Sequence, residues 1–392
     1  MSEPLLLVIN AGSSSLKFAT FNAKTLMRLF AGGAEMRSSG IRFTIENEHD
    51  VCVRSEIIES TDWRRQTVEK LFAWLEDEKL TSLIKAIGHR VVHGGGILCK
   101  PCRIDGPVLD TLEQAVPLAP LHLPENLKAI RTAIRIMPEL TQVACFDTAF
   151  HACQSRVTRT YALPAELYKP GYERYGFHGL SYEYITSRLN DLFSPHTAEG
   201  RVIVAHLGNG ASLCGMREGQ SVATTLGYST LDGLIMGTRP GNLDPALVLQ
   251  LVRDHNGDID HVERLLYQRA GLLGVSGISH DMRVLLESNA EGAKLAVELF
   301  VNRAQRELGS IAVAIGGIDG LVFTGGMGAH STTIRERIAS GLEWLGISLD
   351  PDRNFAGNVR IESSQSKVAI AAIETDEEIV IARHTRSIID GV

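Results

Sequence analysis

The stretch V-I-N-A-G-S-S-S-L-K, Val8 to Lys17, and the stretch V-A-H-L-G-N-G-A-S-L, Val204 to Leu213, each run an apolar strand into a turn of small residues. Gly12 and Gly208 stand half of the 392-residue chain apart, and Ser15-Leu16 matches Ser212-Leu213 after a one-residue slip. Glycine lets a backbone approach an anion closely, and the freed N–H groups, together with serine hydroxyls, donate to that anion. A glycine and a serine occur in many β-turns, so either stretch alone is weak. Their spacing points to two phosphate-gripping hairpins, one per half of a duplicated chain.

Working outward, the first hairpin is expected over 5–10 and 15–22, followed by polar-apolar alternation through Ile41-Arg42-Phe43-Thr44-Ile45. Val68, Leu71, Phe72 and Leu75 have helical spacing, Ile84 to Val92 reads as a buried strand, and Leu127, Ile130, Ile134 and Met137 mark a helix face that stops at Pro138. V-A-C-F-D-T-A-F-H, Val143 to His151, leaves a strand for polar residues at a domain boundary. The second half repeats the style. It has a strand at Val202 to Leu207, a helix opened by Asp244 and Pro245, a long helix near 291–315, and a strand from Leu321 that ends in a glycine-rich turn at Gly328. Asp376-Glu377-Glu378 are acidic residues where a helix N-terminus favours them. Strands, helix, strand, helix, done twice, imply an α/β chain with an internal duplication and a ligand cleft between halves.

A hydrophobic share of 44% with 22% charged residues suits a globular enzyme, and a net charge of −7 argues against a nucleic-acid surface. No apolar run reaches membrane-spanning length and the N-terminus has no basic region, so a cytoplasmic protein without a membrane partner is expected. The scatter of Cys52, Cys99, Cys102, Cys145, Cys153 and Cys214 suits a reducing compartment. Cys99-Lys100-Pro101-Cys102 lacks a second pair at zinc-ribbon spacing, and His89-Arg90-Val91-Val92-His93 carries adjacent valines and a glycine run that favour a strand over a zinc helix.

Phosphoryl transfer needs donors for phosphates, a carboxylate-held Mg²⁺ and cations against the charge of the moving group. Gly12 to Ser15 and Gly208 to Ser212 are candidate donors, with the amides of Asn10 and Asn209. Asp147, past an apolar strand, and Glu377, at a helix start, are candidate metal carboxylates of the hard-oxygen kind that Mg²⁺ takes. Alternation puts Arg90 and Val92 on one strand face. A buried arginine needs an anionic partner, either a structural carboxylate or a ligand. Arg239 in M-G-T-R-P-G is either a surface charge or a second cation for the cleft.

The ordered segments V-I-N-A-G-S-S-S-L-K, I-G-H-R-V-V-H-G-G, A-P-L-H-L-P, C-F-D-T-A-F-H, Y-G-F-H-G, A-H-L-G-N-G, M-G-T-R-P-G-N-L-D-P and T-D-E-E-I-V-I-A-R resemble those of the acetate kinase family, short-chain acyl kinases of the actin and sugar kinase superfamily, from one end of the chain to the other. The resemblance implies an α/β fold of duplicated actin-like (ribonuclease H-like) domains with an interdomain active-site cleft. One domain would span 1–150, completed by a C-terminal helix at about 376–392, and a nucleotide-binding domain would span 151–375. It implies in-line transfer from ATP to acetate, giving ADP and acetyl phosphate, with Mg²⁺ or Mn²⁺, in a cytoplasmic homodimer. By residue, Arg90 and Arg239 would bind acetate and brace the phosphoryl group, and His178, with His122 and Asn10, would bond its oxygens. Asp147, Glu377 and Asn10 would position the metal. Lys17 and the turn His206, Leu207, Gly208, Asn209 and Gly210 would hold phosphates. Asp281, Met282 and Arg283, with Gly325, Gly326, Met327 and Gly328, would flank the nucleoside, and Val92, Leu121 and Phe177 would wall in the acetate methyl.

Three positions depart from the family pattern: Gly326-Met327-Gly328-Ala329-His330 replaces G-I-G-E-N, Leu123 replaces the asparagine of H-N-P, and Thr230 stands where many relatives carry proline. Competing readings are a propionate or butyrate kinase with a roomier pocket, and a non-catalytic ATP-driven switch. The latter would have no use for Arg90, His122, His178 and Arg239.

Overall fold

Both small-residue turns connect antiparallel hairpins. The computed structural model describes residues 3–12, 15–37, 40–60, 62–167 and 171–391, the side chains at 36 and 37 excepted. Ser13 and Ser14 of the first turn lie outside the described residues. On either side of them β1 (Leu5–Ala11) pairs with β2 (Ser15–Asn22), Ala11 opposite Leu16. In the second half β9 (Arg201–Leu207) pairs with β10 (Ala211–Arg217), Leu207 opposite Ala211. The chain divides into two compact units, Met1–Ala149 with Asp376–Val392, and Phe150–Thr375.

In the first unit β3 (Arg28–Arg37), β4 (Gly40–Asn47) and β5 (Cys52–Ile58) continue the meander, and β6 (Ile84–Val91), β7 (Cys102–Arg103) and β8 (Thr141–Phe146) complete a sheet of order β5-β4-β3-β2-β1-β6-β8-β7. Strands β1, β6 and β8 are parallel, so their C-terminal ends lie together. Leu7, Ile9 and Phe18 pack on one face with Val68, Leu71, Phe72 and Leu75 of the helix Trp63–Asp77. The other face takes the helix Glu377–Asp390. Gly88 makes this possible, since a Cβ there would stand 2.2 Å from Thr385 Oγ1 and 2.6 Å from Ile381 Cγ2.

In the second unit β11 (Gln220–Thr224), β12 (Gly320–Thr324) and β13 (Ala369–Ala372) give the order β11-β10-β9-β12-β13. That order repeats the β3-β2-β1-β6-β8 run of the first unit, as a duplication requires. The helix Glu291–Ile315 buries Phe300, Ala304, Leu308, Ile311 and Ile315 at helical spacing and ends on Gly316 at φ 76°. Tyr182, Ile185 and Leu189 of the helix Gly179–Leu192 pack with Val202, Val204, Met216 and Val322.

Two local expectations are corrected. The glycine-rich turn after β12 is a short helix, Gly325–His330, and β6 stops at Val91, so strand alternation does not reach Val92. All six cysteines are free thiols. Among the described residues no helix is long and apolar enough to cross a membrane.

Candidate active site

The first unit gathers its polar residues at the C-terminal ends of parallel strands, the usual ligand position of such sheets. Asn10 stands near the end of β1, Arg90 near the end of β6 and Asp147 just past β8. The start of the C-terminal helix brings Glu377 and Glu378, its first turn capped by Asp376, which accepts from the Ile379 N–H at 2.9 Å. Arg90 Nε donates to both Asp147 oxygens at 3.1 Å and Nη2 donates to Oδ2 at 2.6 Å. Glu377 Oε2 lies 4.0 Å from Arg90 Nε. Asn10 Nδ2 donates to Glu377 Oε2 at 3.0 Å and to Glu378 Oε1 at 2.8 Å. The anion that Arg90 requires is therefore a structural carboxylate.

Burial pushes the Asp147 carboxyl up, Arg90 pulls it down, and Glu377 adds to the rise, leaving it above the usual carboxylate range. Glu378 is also raised, by burial first and by Glu377, against the pull of Lys17. For Arg90 burial works against the charge, but Asp147, Glu377 and Glu378 outweigh it and the guanidinium holds its proton more firmly than usual. Asp147, Glu377 and Glu378 thus crowd one guanidinium, and a divalent cation beside them would favour their ionised forms.

That donor set is hard oxygen and suits Mg²⁺. Among the described residues no group of three or more His, Cys, Asp and Glu side chains is arranged to hold a metal alone. Mg²⁺ needs no such cage, because it keeps waters and substrate oxygens beside one or two carboxylates.

The second unit builds a different half. His178 precedes the helix Gly179–Leu192 with φ 61° and ψ 24°, a left-handed conformation that costs a non-glycine residue roughly 1–2 kcal/mol. His151 helps to hold it there. Its Nε2 lies 3.0 Å from the Phe177 carbonyl and its Nδ1 2.8 Å from Ser221 Oγ, and burial pushes its pKa down to about 4, so it is neutral and donates to that carbonyl. At the end of β9, the Gly208 N–H donates to the Gly210 carbonyl at 2.9 Å and closes the turn. A Cβ at Gly210 would stand 2.9 Å from Arg239 Nη2 and 3.1 Å from His178 Nε2, so glycine keeps a space that both groups face. Arg239 is braced by its Nη1, which donates to the Thr230 carbonyl at 2.9 Å. Thr230 thus acts on the arginine through its backbone. Gly325, at φ 75°, sits where a Cβ would stand 2.8 Å from the Leu207 carbonyl oxygen, which brings the helix Gly325–His330 against the β9 turn.

Val92 is buried and donates its N–H to Asn126 Oδ1 at 2.9 Å, Phe177 is buried beside His178, and Leu121 and His122 are half-buried before the helix Leu123–Ile136. Lys17 is exposed opposite Asn10. Asp281 caps the short helix Met282–Glu287 and pairs with Arg283, whose side chain is 86% exposed. Four residues not expected from the sequence contact expected ones: Glu378 meets Asn10, His151 meets the Phe177 carbonyl, Ser181 meets His206 and Tyr182 meets Ser212. Of these four only Glu378 carries a signal in the sequence, as one of the acidic residues at 376–378.

The chain matches the Acetokinase family over residues 5–383. It is 46% identical over 393 residues to a protein of Rhodopseudomonas palustris (strain TIE-1) named acetate kinase, covering 99% of each chain. Among solved structures it is similar to a propionate kinase of Francisella tularensis, at 36% identity and TM-score 0.90 over 98% of this chain and 99% of that one. It is likewise similar to an acetate kinase of Porphyromonas gingivalis, at 33% identity and TM-score 0.85 over 98% and 100%. With a carboxylate and arginine cluster at the strand ends of one unit, a histidine and arginine cradle in the other, and relatives matched end to end, the chain belongs to the acetokinase family.

Proposed function

We propose that this enzyme transfers the γ-phosphoryl group of ATP to acetate, reversibly, giving ADP and acetyl phosphate. The observation that carries the reading is the glycine-kept space at Gly210, faced by the Arg239 guanidinium and the His178 imidazole beside a turn of backbone amides. An acetate oxygen attacks the γ-phosphorus, one P–O bond forms, the bond to the β-phosphate oxygen breaks, and ADP leaves. Acetate is already ionised at neutral pH, so no general base is required. This agrees with an Asp147 occupied by three hydrogen bonds from Arg90.

In this reading Arg90 and Arg239 act on one phosphoryl group, a cation in that role contributing roughly 10³–10⁵ in rate. His178 donates to its oxygens, with His122 and Asn10 assisting. The β9 turn and the Gly325–His330 helix carry the nucleotide. Asp147 and Glu377 would hold Mg²⁺, which when bound neutralises phosphate charge. Val92, Leu121 and Phe177 form the wall that meets the acetate methyl.

We place the enzyme in the cytoplasm, where six free thiols are stable. Its partner is a second copy of the chain. The helix Pro245–Asp254 carries Ala246, Leu247, Val248, Leu249, Leu251 and Val252, yet none of its residues is buried, and Leu247 and Leu249 are 48% and 57% exposed. Such a face is what an obligate interface leaves when one copy is viewed alone.

The substrate assignment is tested by kcat/KM for acetate, propionate and butyrate with Mg-ATP. One methylene is worth about 1–3 kcal/mol of discrimination, so acetate is expected to lead by tenfold or more. A lead for propionate would make this a propionate kinase, and ATP turnover that ignores all three acids would favour a nucleotide-driven switch.

A further inference from the structure

The His178 and His206 rings stack with centroids 4.4 Å apart at 29°. Each is held at Nδ1 by a serine hydroxyl, His178 by Ser212 Oγ and His206 by Ser181 Oγ, both at 2.8 Å. Behind Ser212, the Tyr182 hydroxyl lies 2.5 Å from Oγ. Ser181, Tyr182 and Ser212 have no exposed surface. At the opposite edge of the rings, His178 Nε2 lies 3.1 Å from the Cβ position of Gly210, and His206 Nε2 lies 3.7 Å from that of Gly208. Both Nε2 atoms therefore face the glycines of the β9–β10 turn.

The direction of the proton in this chain follows from chemistry. A phenol is a stronger acid than an aliphatic alcohol, and a neutral imidazole nitrogen is a stronger base than either oxygen. The favoured order is Tyr182 O–H to Ser212 Oγ, and Ser212 O–H to His178 Nδ1, leaving the ring proton on Nε2. The same molecule contains a second example. Gln154 Nε2 donates to Ser221 Oγ at 2.9 Å, Ser221 contacts His151 Nδ1 at 2.8 Å, and His151 Nε2 meets the Phe177 carbonyl, a pure acceptor that demands Nε2–H.

We infer that Tyr182 and Ser212 are positioning residues that fix His178 as its Nε2–H tautomer, and that Ser181 does the same for His206, so that both rings present a donor to the β9–β10 turn. This deepens the phosphoryl-transfer reading on which its catalytic consequence rests. Phosphoryl oxygens are acceptors, so the Nε2–H tautomer attracts them where the other would turn a lone pair on them. The partner at the far nitrogen of a histidine decides which tautomer exists.

The test combines nitrogen-15 histidine resonances, read on the enzyme without substrates, with kinetics of Ser212→Ala, Tyr182→Phe and the double variant. Wild type is expected to show Nε2–H at both His178 and His206, assigned by loss of each signal in His178→Gln and His206→Gln. Ser212→Ala is expected to mix the His178 tautomers and release the ring's orientation, lowering kcat roughly 10-fold, the low end of what losing an outer-shell partner costs a metal-bound histidine, with KM for ATP changed less than threefold. In the double variant both buried partners are gone, so the melting temperature is expected to recover towards wild type while kcat stays low. An Nδ1–H signal at His178 in wild type, or recovery of kcat together with melting in the double variant, would overturn the inference. The resonances do not depend on turnover, so a failed substrate assignment leaves that arm intact.

Discussion

Asp147 takes three hydrogen bonds from Arg90, two from Nε at 3.1 Å and one from Nη2 at 2.6 Å, and has no exposed surface of its own. The arginine is therefore part of the fold as well as a candidate for the reaction. Removing one partner of a buried pair costs about 3–5 kcal/mol, because the other charge is left uncompensated. Arg90→Ala is expected to lose turnover and stability together.

Arg239→Ala separates the two effects. That side chain is half-buried and donates to a backbone carbonyl, a charge-assisted bond whose loss is expected to cost about 1.5–3 kcal/mol, less than the buried Arg90–Asp147 pair. Turnover is expected to fall at least about 10²-fold if the guanidinium bears on the transferring group. Urea unfolding and steady-state kinetics on the two variants check the contrast, and equal losses of unfolding free energy would contradict it.

Glu377→Gln keeps the shape of the side chain and the means to accept from Asn10 Nδ2. If the carboxylate serves a divalent cation, the Mg²⁺ concentration for half-maximal activity is expected to rise roughly tenfold or more, with little change in melting. A residue that only complements the helix end would cost about 0.3–1 kcal/mol of stability and leave the Mg²⁺ dependence unmoved.

Leu247→Glu places a charge on the unburied apolar face of the helix Pro245–Asp254. Sedimentation is expected to show a dimer for wild type and a shift to monomer for the variant. Unchanged sedimentation of the two would remove this helix from the interface.

Much of this was legible in the residues. The two hairpins follow from an apolar strand meeting a glycine turn, and the long helix over Glu291–Ile315 follows from unbroken apolar periodicity. That Arg90 needs an anion could be argued from burial, but not which one, because Asp147 reaches it only through the pairing of β6 with β8. The glycines of Gly325–His330 predict a turn, because glycine disfavours helix, yet the segment is helical. A buried cation supplies what the sequence lacks, for Arg335 donates to the Gly328 and Ala329 carbonyls at 2.9 and 2.7 Å and holds the helix end. Tyr182 carries no local signal, since a hydroxyl in a helix gains meaning only from the group it meets.

His89, His93 and His151 are buried, and burial pushes each pKa down from 6.5 to about 4. Between those values the unfolded chain binds more protons, so their contribution is full above about pH 6.5 and is lost as pH falls towards 4. Each is expected to cost about 2 kcal/mol between pH 7 and pH 5. Asp147 and Glu378, whose carboxyl groups are raised, act in the opposite sense. A comparison with His89→Asn isolates one histidine: its unfolding free energy is expected to fall less between pH 7 and pH 5 than that of wild type, by about that amount. Equal falls would mean His89 is not held neutral.

The most direct measurement follows the acetate oxygen. Enzyme, Mg-ATP and acetate labelled with oxygen-18 in both carboxyl positions are examined by phosphorus-31 resonance. Attack of the carboxylate on the γ-phosphorus is expected to give acetyl phosphate whose phosphorus carries one oxygen-18 neighbour, appearing as ADP appears. Inorganic phosphate formed at the same rate with or without acetate, and no labelled acyl phosphate, would contradict the account.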